Sequence, residues 1–151
     1  MAKALHEPEL ILARAEDRSF FVTCHHNAYR ATVEQMFEWN AKTQDALVSK
    51  KFDLPGIHLI NVNGERVGVI GVHMDGPALW LRDFFVLPQY QNQGIGDRVV
   101  RQVQHQAAQA STDLRVRTSR VNHRAKCFYE RHGFVVLEQS DLHLHMIWGS
   151  S

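Results

Sequence analysis

The segment Phe84-Phe85-Val86-Leu87-Pro88-Gln89-Tyr90-Gln91-Asn92-Gln93-Gly94-Ile95-Gly96 carries the clearest chemistry in the chain. An apolar run reads as a strand, Pro88 stops it, a polar loop turns, and a helix begins at two glycines. The first backbone N–H groups of a helix have no intrahelical acceptors and lie at the positive end of its dipole. Such a start is a ready seat for phosphate. Gly94 and Gly96 have no side chains to keep a pyrophosphate from the backbone. The same pair also suits an ordinary tight turn, and these residues alone do not choose between the two. Two nucleotide motifs are excluded. A Walker loop ends in Gly-Lys-Ser/Thr, whereas Asp97 follows Gly96, and the dinucleotide fingerprint needs a glycine where Asn92 stands.

A second informative run lies between Val121 and Phe134. Asn122 can cap a helix whose inner face carries Ala125, Phe128, Tyr129 and His132, with Gly133 as its left-handed stop. Groups able to accept a proton near neutral pH are His73 and His143. Asp83 is the nearest carboxylate to the strand end, and strand alternation points it away from Arg82. His143 and His145 alternate on one strand face like two metal ligands, but no third ligand accompanies them and no metal is expected. His25 and His26 point to opposite sides of a helix, in part toward solvent, and Lys50-Lys51 reads as a solvated helix end.

These residues need elements to hold them. Glu9 to Arg14 reads as a strand, and residues 17–52 show three- and four-residue apolar spacing, giving two helices that break near Trp39-Asn40. Ile57 to Val62, Val67 to His73 and Ala78 to Leu87 are strands joined by Asn63-Gly64 and Asp75-Gly76 turns, hence antiparallel neighbours. Ile95, Val99, Val103, Ala107 and Ala110 form one face of a helix. Leu114 to Thr118 is a strand, the helix capped by Asn122 follows, and Phe134 to Glu138 and Leu142 to Trp148 close the chain as strands. The order β-α-α-β-β-β-α-β-α-β-β predicts an α/β (α+β) fold with a mixed, mostly antiparallel central sheet flanked by helices.

At 151 residues, 44% hydrophobic and 22% charged, the chain fits a single domain over residues 1–151 with its core at about 9–148. A net charge of +1 gives no bulk attraction to nucleic acid or an anionic membrane. No apolar h-region opens the chain and no run of about 18 apolar residues occurs, so neither secretion nor membrane insertion is expected. Cys24 and Cys127 stand in no metal or redox spacing, which suits a reducing cytoplasm.

Gln91-x-x-Gly94-x-Gly96 after Val86-x-Pro88 resembles the acetyl-CoA loop of the GNAT superfamily (Gcn5-related N-acetyltransferases), and the run from Val121 to Phe134 resembles the second half of the same site. The element order matches that fold over nearly the whole chain, and Val33 to Asn40 looks like a stretch of one poorly characterised branch. The resemblance implies a single N-acetyltransferase domain that moves an acetyl group from acetyl-CoA to a primary amine of a small molecule by direct attack. A peptide or protein amine is the alternative acceptor, and a non-catalytic acyl-CoA-binding sensor is the alternative of another class.

It also implies roles. Phe84, Phe85 and Val86 would meet the pantetheine arm, with a backbone N–H near Val86 as oxyanion donor. Gln91, Asn92, Gln93, Gly94, Ile95, Gly96 and Asp97 would surround the pyrophosphate. Asn122 would hydrogen-bond the cofactor, a role compatible with capping. Tyr129 would protonate the leaving thiolate, core packing being its other reading. The base is His143, Asp83, or water reaching bulk solvent, because Arg82 stands where some relatives carry a glutamate. The acceptor pocket would lie between the N-terminal helices and the last hairpin, with Asn27, Arg30, Trp39 and Arg82 binding the substrate and Tyr29 and Glu34 nearby. The expected acceptor is a small amine that also carries an acidic group, paired with Arg30 or Arg82. A homodimer follows by family analogy.

Overall fold

The computed structural model describes residues 7–36 and 41–149, with side-chain surroundings for 7–27 and 46–149. Among the described residues the elements run β1 (Glu9–Leu12), α1 (Arg18–Met36), α2 (Ala41–Phe52), β2 (Ile57–Val62), β3 (Glu65–Asp75), β4 (Ala78–Val86), α3 (Ile95–Gln109), β5 (Asp113–Ser119), α4 (His123–Arg131), β6 (Val135–Gln139) and β7 (His143–Trp148). This is the order expected from the sequence. Short 3-10 turns at Ala15–Asp17 and Pro88–Tyr90 were not anticipated. The strands form one sheet in the order β1-β2-β3-β4-β5-β7-β6, and only the β4–β5 pair is parallel. None of the described helices is long and apolar enough to cross a membrane.

The β2–β3 hairpin turns at Asn63 and Gly64, both left-handed at φ 54 and 80, as a two-residue turn matched to strand twist requires. Each face of the sheet has its own core. On one, Ile95, Val99, Val103 and Ala107 of α3 and Tyr129 of α4 pack on Leu79, Leu81, Leu114 and Met146. Val100 joins them, whereas Ala110, expected on that face, is exposed. On the other, Phe21 and Cys24 of α1 and Val48 of α2 cover Ile57, Leu59 and Val69. Burial in that second core pushes the Cys24 thiol up to about 12.

One irregularity positions the site. The β3–β4 register changes from Gly71↔Arg82 to Val69↔Phe85, so Ile70 stands opposite both Asp83 and Phe84. Asp83 absorbs the extra residue with a left-handed φ of 49. The bulge exchanges faces beyond it: Phe84 and Val86 pack toward α3 and α4, and Phe85 and Leu87 toward α1 and α2. Gly68 permits the close strand approach here, because a Cβ would lie 2.1 Å from the Phe85 carbonyl oxygen. The β4–β5 pairing runs from Ala78 to Leu81 and goes no further. Past that point the sheet opens, and Phe84–Val86 has no strand partner on the β5 side.

Candidate functional site

Two cavities meet at this opening. The larger, about 870 Å³, runs from the end of β4 across the loop to α3 and α4. The smaller, about 370 Å³, lies over β4, β5 and β7 beside the end of α2. Phe84, Phe85, Asn122, Ala125 and Tyr129 line both.

The larger cavity is bounded by the end of β4, the loop after it, the start of α3 and one side of α4. Asn92 and Gly94 take left-handed φ of 63 and 83, which bends the loop so that α3 starts at the cavity wall. Gly94 is the N-cap and has no side chain to satisfy the first-turn N–H groups, and a Cβ there would meet nothing within 4 Å. Asn92, Gly94, Ile95, Gly96 and Asp97 all line the cavity, with Arg124 and Arg131 supplying cations across from them. The Asp97 carboxylate, an unwelcome charge beside a phosphate, is held by His132 at 2.8 Å and by Arg131 at 3.7 Å. A helix start, two arginines and an opposed strand edge form a seat and channel suited to a diphosphate with a long thin arm.

Other expected contacts divide. Gln91 lines the same cavity, but its Nε2 donates to the Val86 carbonyl at 2.8 Å and so fixes the loop to the strand end. Gln93 is exposed, donates to the Gln89 carbonyl at 3.2 Å, and is not among the lining residues. Asn122 does cap α4, accepting from the Ala125 N–H at 3.0 Å, which commits its Oδ1. Tyr129 is 6% exposed, its ring edge-on to Phe128 and Phe134 with centroids 5.3 Å away in each case. Core packing and a place in the junction thus coexist in one residue.

The smaller cavity holds the titratable groups: His143, His73, Asp83 and Arg82 all line it. Asn27 lines the larger cavity instead. The side chains of Tyr29, Arg30 and Glu34, and all of Trp39, lie outside the described residues. Strand alternation misplaces Asp83. The bulge breaks the two-residue period, and the Asp83 carboxylate accepts from Arg82 Nη1 at 2.7 Å. Lys51 and His25 each stand 3.6 Å from its other oxygen. His25 is not the part-solvated group its sequence suggests: it is buried against Phe85, with ring centroids 5.0 Å apart. Lys51 keeps a partly exposed side chain at the helix end and also lines the cavity.

Burial alone would raise the Asp83 carboxyl, but His25, Lys51 and Arg82 outweigh it and hold it at about 2. Such a carboxylate is a weak proton acceptor. His143 is pushed below the ordinary imidazole value, first by burial and then by the charges of Arg117, His145 and Lys51. His73 shifts the same way through burial and Arg82, with Asp75 opposing. In both, these surroundings favour the neutral imidazole, the form able to take a proton. Among the described residues no group of three or more His, Cys, Asp or Glu side chains could hold a metal ion. The sequence reading missed Lys51, Trp80 and Arg117 as cavity residues. The available signal was the alternation along β4 and β5, which identifies a shared surface only once the register is known.

The fold is similar to that of the PaiA N-acetyltransferase from Thermoplasma acidophilum in complex with coenzyme A, with a TM-score of 0.76 at 14% identity over 95% of this chain and 99% of that one. It is also similar to a ribosomal-protein alanine N-acetyltransferase from Escherichia coli, with 0.67 at 17% identity over 95% and 94%. A nucleotide-linked sugar GNAT in its apo form gives 0.67 at 12% identity over 96% and 88%. Comparison with curated protein sequences finds no match. At these identities the structural likenesses establish the fold. The model of the acetyltransferase (GNAT) domain matches residues 55–136, from the turn before β2 into β6. With more than half of its length so matched, the chain belongs to the GNAT acetyltransferase family.

Proposed function

We propose that the protein transfers an acetyl group from acetyl-CoA to the primary amine of a small molecule by direct attack. The observation that carries this reading is the junction of two cavities at Tyr129, Phe84 and Phe85, one walled by phosphate-seating backbone and the other by titratable side chains. The main chain of residues 92–97 and the side chains of Arg124 and Arg131 hold the diphosphate, and the strand edge at Phe84–Val86 holds the arm. Acetyl-CoA supplies the activated thioester. The amine nitrogen forms a bond to the acetyl carbon as the carbon–sulfur bond breaks. His143 takes the proton that the amine loses, and Tyr129 gives one to the departing thiolate. Backbone N–H groups freed from β5 pairing near Val86 face the developing oxyanion. Holding both reactants at one junction supplies the orientation that the reaction needs.

Three points bear on the alternatives. A cavity of about 370 Å³ suits a small acceptor better than a folded protein surface. Neutral imidazoles on the acceptor side favour an enzyme over a binding-only sensor. Two unpaired thiols, one buried and one exposed, accord with a cytoplasmic setting. The test is calorimetry with coenzyme A, followed by steady-state release of free thiol from acetyl-CoA with a panel of amines. Binding together with amine-dependent release is the expected result. No uptake of coenzyme A by folded protein removes the proposal, and uptake without release for any amine leaves the sensor reading.

A further inference from the structure

The register of the sheet decides which side chains face the smaller cavity. His73 stands opposite Trp80, Gly71 opposite Arg82, Arg117 opposite His145 and Ser119 opposite His143. Residues directly opposite project from the same face. His73, Trp80, Arg82, Arg117, His143 and His145 therefore share one surface, and all six line the cavity. The intervening residues Leu79, Leu81, Leu114, Val116, Leu144 and Met146 are buried with α3 and α4. One face of the same strands is apolar, and the other is polar, with Arg82 and Arg117 as its permanent cations.

Charges on the polar face do not cancel. Asp83 already faces Arg82, Lys51 and His25. Arg82 is doubly engaged, donating also to the Pro55 carbonyl at 2.7 Å. Asp75, exposed at the far end of β3, lines the cavity too, so Lys51, Arg82 and Arg117 stand against Asp75 and Asp83. Arg117 is exposed and, among the described residues, has neither a hydrogen-bond nor an ion-pair partner for its side chain. It sits in the middle of β5, with Trp80 on the neighbouring strand as an apolar wall. An uncommitted guanidinium in a cavity of that size, with few acidic groups left to satisfy it, is a fork for a carboxylate or phosphate.

We infer that the acceptor is a small primary amine bearing a carboxylate or phosphate, with its anion held by Arg117 and its amine directed to the junction of the two cavities. This rests on the acetyl transfer proposed above and assigns its substrate class. The cation that selects the acceptor is thus Arg117, where the sequence pointed to Arg30 or Arg82. The positive field on this face is also what helps keep His143 and His73 unprotonated.

The test uses matched pairs on protein loaded with coenzyme A: β-alanine against β-alaninamide, glutamate against its diamide, and phosphoethanolamine against ethanolamine, with putrescine as a cationic control. Calorimetry reads binding, and thiol release from acetyl-CoA reads turnover. The anionic member of at least one pair is expected to be favoured by about tenfold or more in kcat/KM, equivalent to roughly 1.4 kcal/mol. Which pair responds separates carboxylate from phosphate. Arg117→Gln should abolish that preference through KM rather than kcat, Arg117→Lys should keep part of it, and both should still bind coenzyme A. Preference for putrescine or for the neutral members, binding of neither member of any pair, or an undiminished preference in Arg117→Gln overturns the assignment. Those outcomes leave acetyl transfer standing when coenzyme A is bound, whereas failure to bind coenzyme A removes both readings.

Discussion

The two cavities are built from different materials. The larger is bounded by a strand end, a loop with two left-handed residues and the first turn of a helix, with side chains of α4 on the other side, so part of its chemistry resides in the backbone. The smaller is bounded by side chains from β3, β4, β5 and β7 together with the end of α2. Backbone recognition asks of the sequence only that glycine, asparagine and proline fall where the path requires them. Side-chain recognition asks for particular residues on strands far apart in the chain. One half of such a site can therefore stay constant while the other changes. Between the halves stands the Asp83 bulge, which packs Phe84 toward α3 and α4 and Phe85 toward α1 and α2.

The largest effect expected is at the junction. Tyr129→Phe removes the proposed acid but keeps the ring packed on Phe128 and Phe134, so turnover should fall by about 10²-fold or more while coenzyme A binding persists. Thiol-release kinetics beside calorimetry check this, and unchanged turnover removes Tyr129 from the chemistry.

Next comes the bulge that divides the halves. Asp83→Asn keeps the shape but deletes a charge whose carboxyl is held at about 2 against an ordinary 3.8. That difference corresponds to roughly 2 kcal/mol of stability at neutral pH, read by urea denaturation. A depressed acid contributes stability that is complete above 3.8 and is lost as pH falls through about 2. The difference between wild type and variant should therefore shrink across that window. A constant difference would assign the loss to hydrogen bonding rather than charge.

A smaller effect belongs to the main-chain half. Gly94→Ala places a Cβ at φ 83, where an L-residue is strained by about 1–2 kcal/mol, though no atom of the protein obstructs it. Coenzyme A should then bind about tenfold more weakly, as calorimetry would show, with acceptor preference unaltered. A changed acceptor preference would mean that the halves are not separable.

The mildest prediction concerns pH. His143 is depressed, so the acid limb of kcat/KM should lie below pH 6.5 and should be displaced or flattened in His143→Gln. Depressed imidazoles add stability that is complete above 6.5 and declines as pH falls through their folded values. An acid limb unmoved by the substitution would transfer the base role to His73 or to solvent.

Much of this protein was legible in one dimension. Element order, the Asn63-Gly64 hairpin, the Asn122 cap and the loop from Gln91 to Asp97 all depend on neighbours a few residues apart, where propensity and turn chemistry act directly. The smaller cavity was read less well. His25 looked partly solvated, and Lys51 only a helix end, because nothing local reveals that α1 and α2 converge on Asp83. Asp83 looked turned away from Arg82 because a period-two rule contains no bulge. The sequence by itself therefore determined the strand-loop-helix frame that is proposed to seat a diphosphate. Only the tertiary structure decided that six residues from β3, β4, β5 and β7 share one face of the smaller cavity. The reason is that sheet register is a long-range choice: a slip of one residue exchanges the two faces, and the packing of Leu79, Leu114 and Met146 under α3 and α4 selects which face is which.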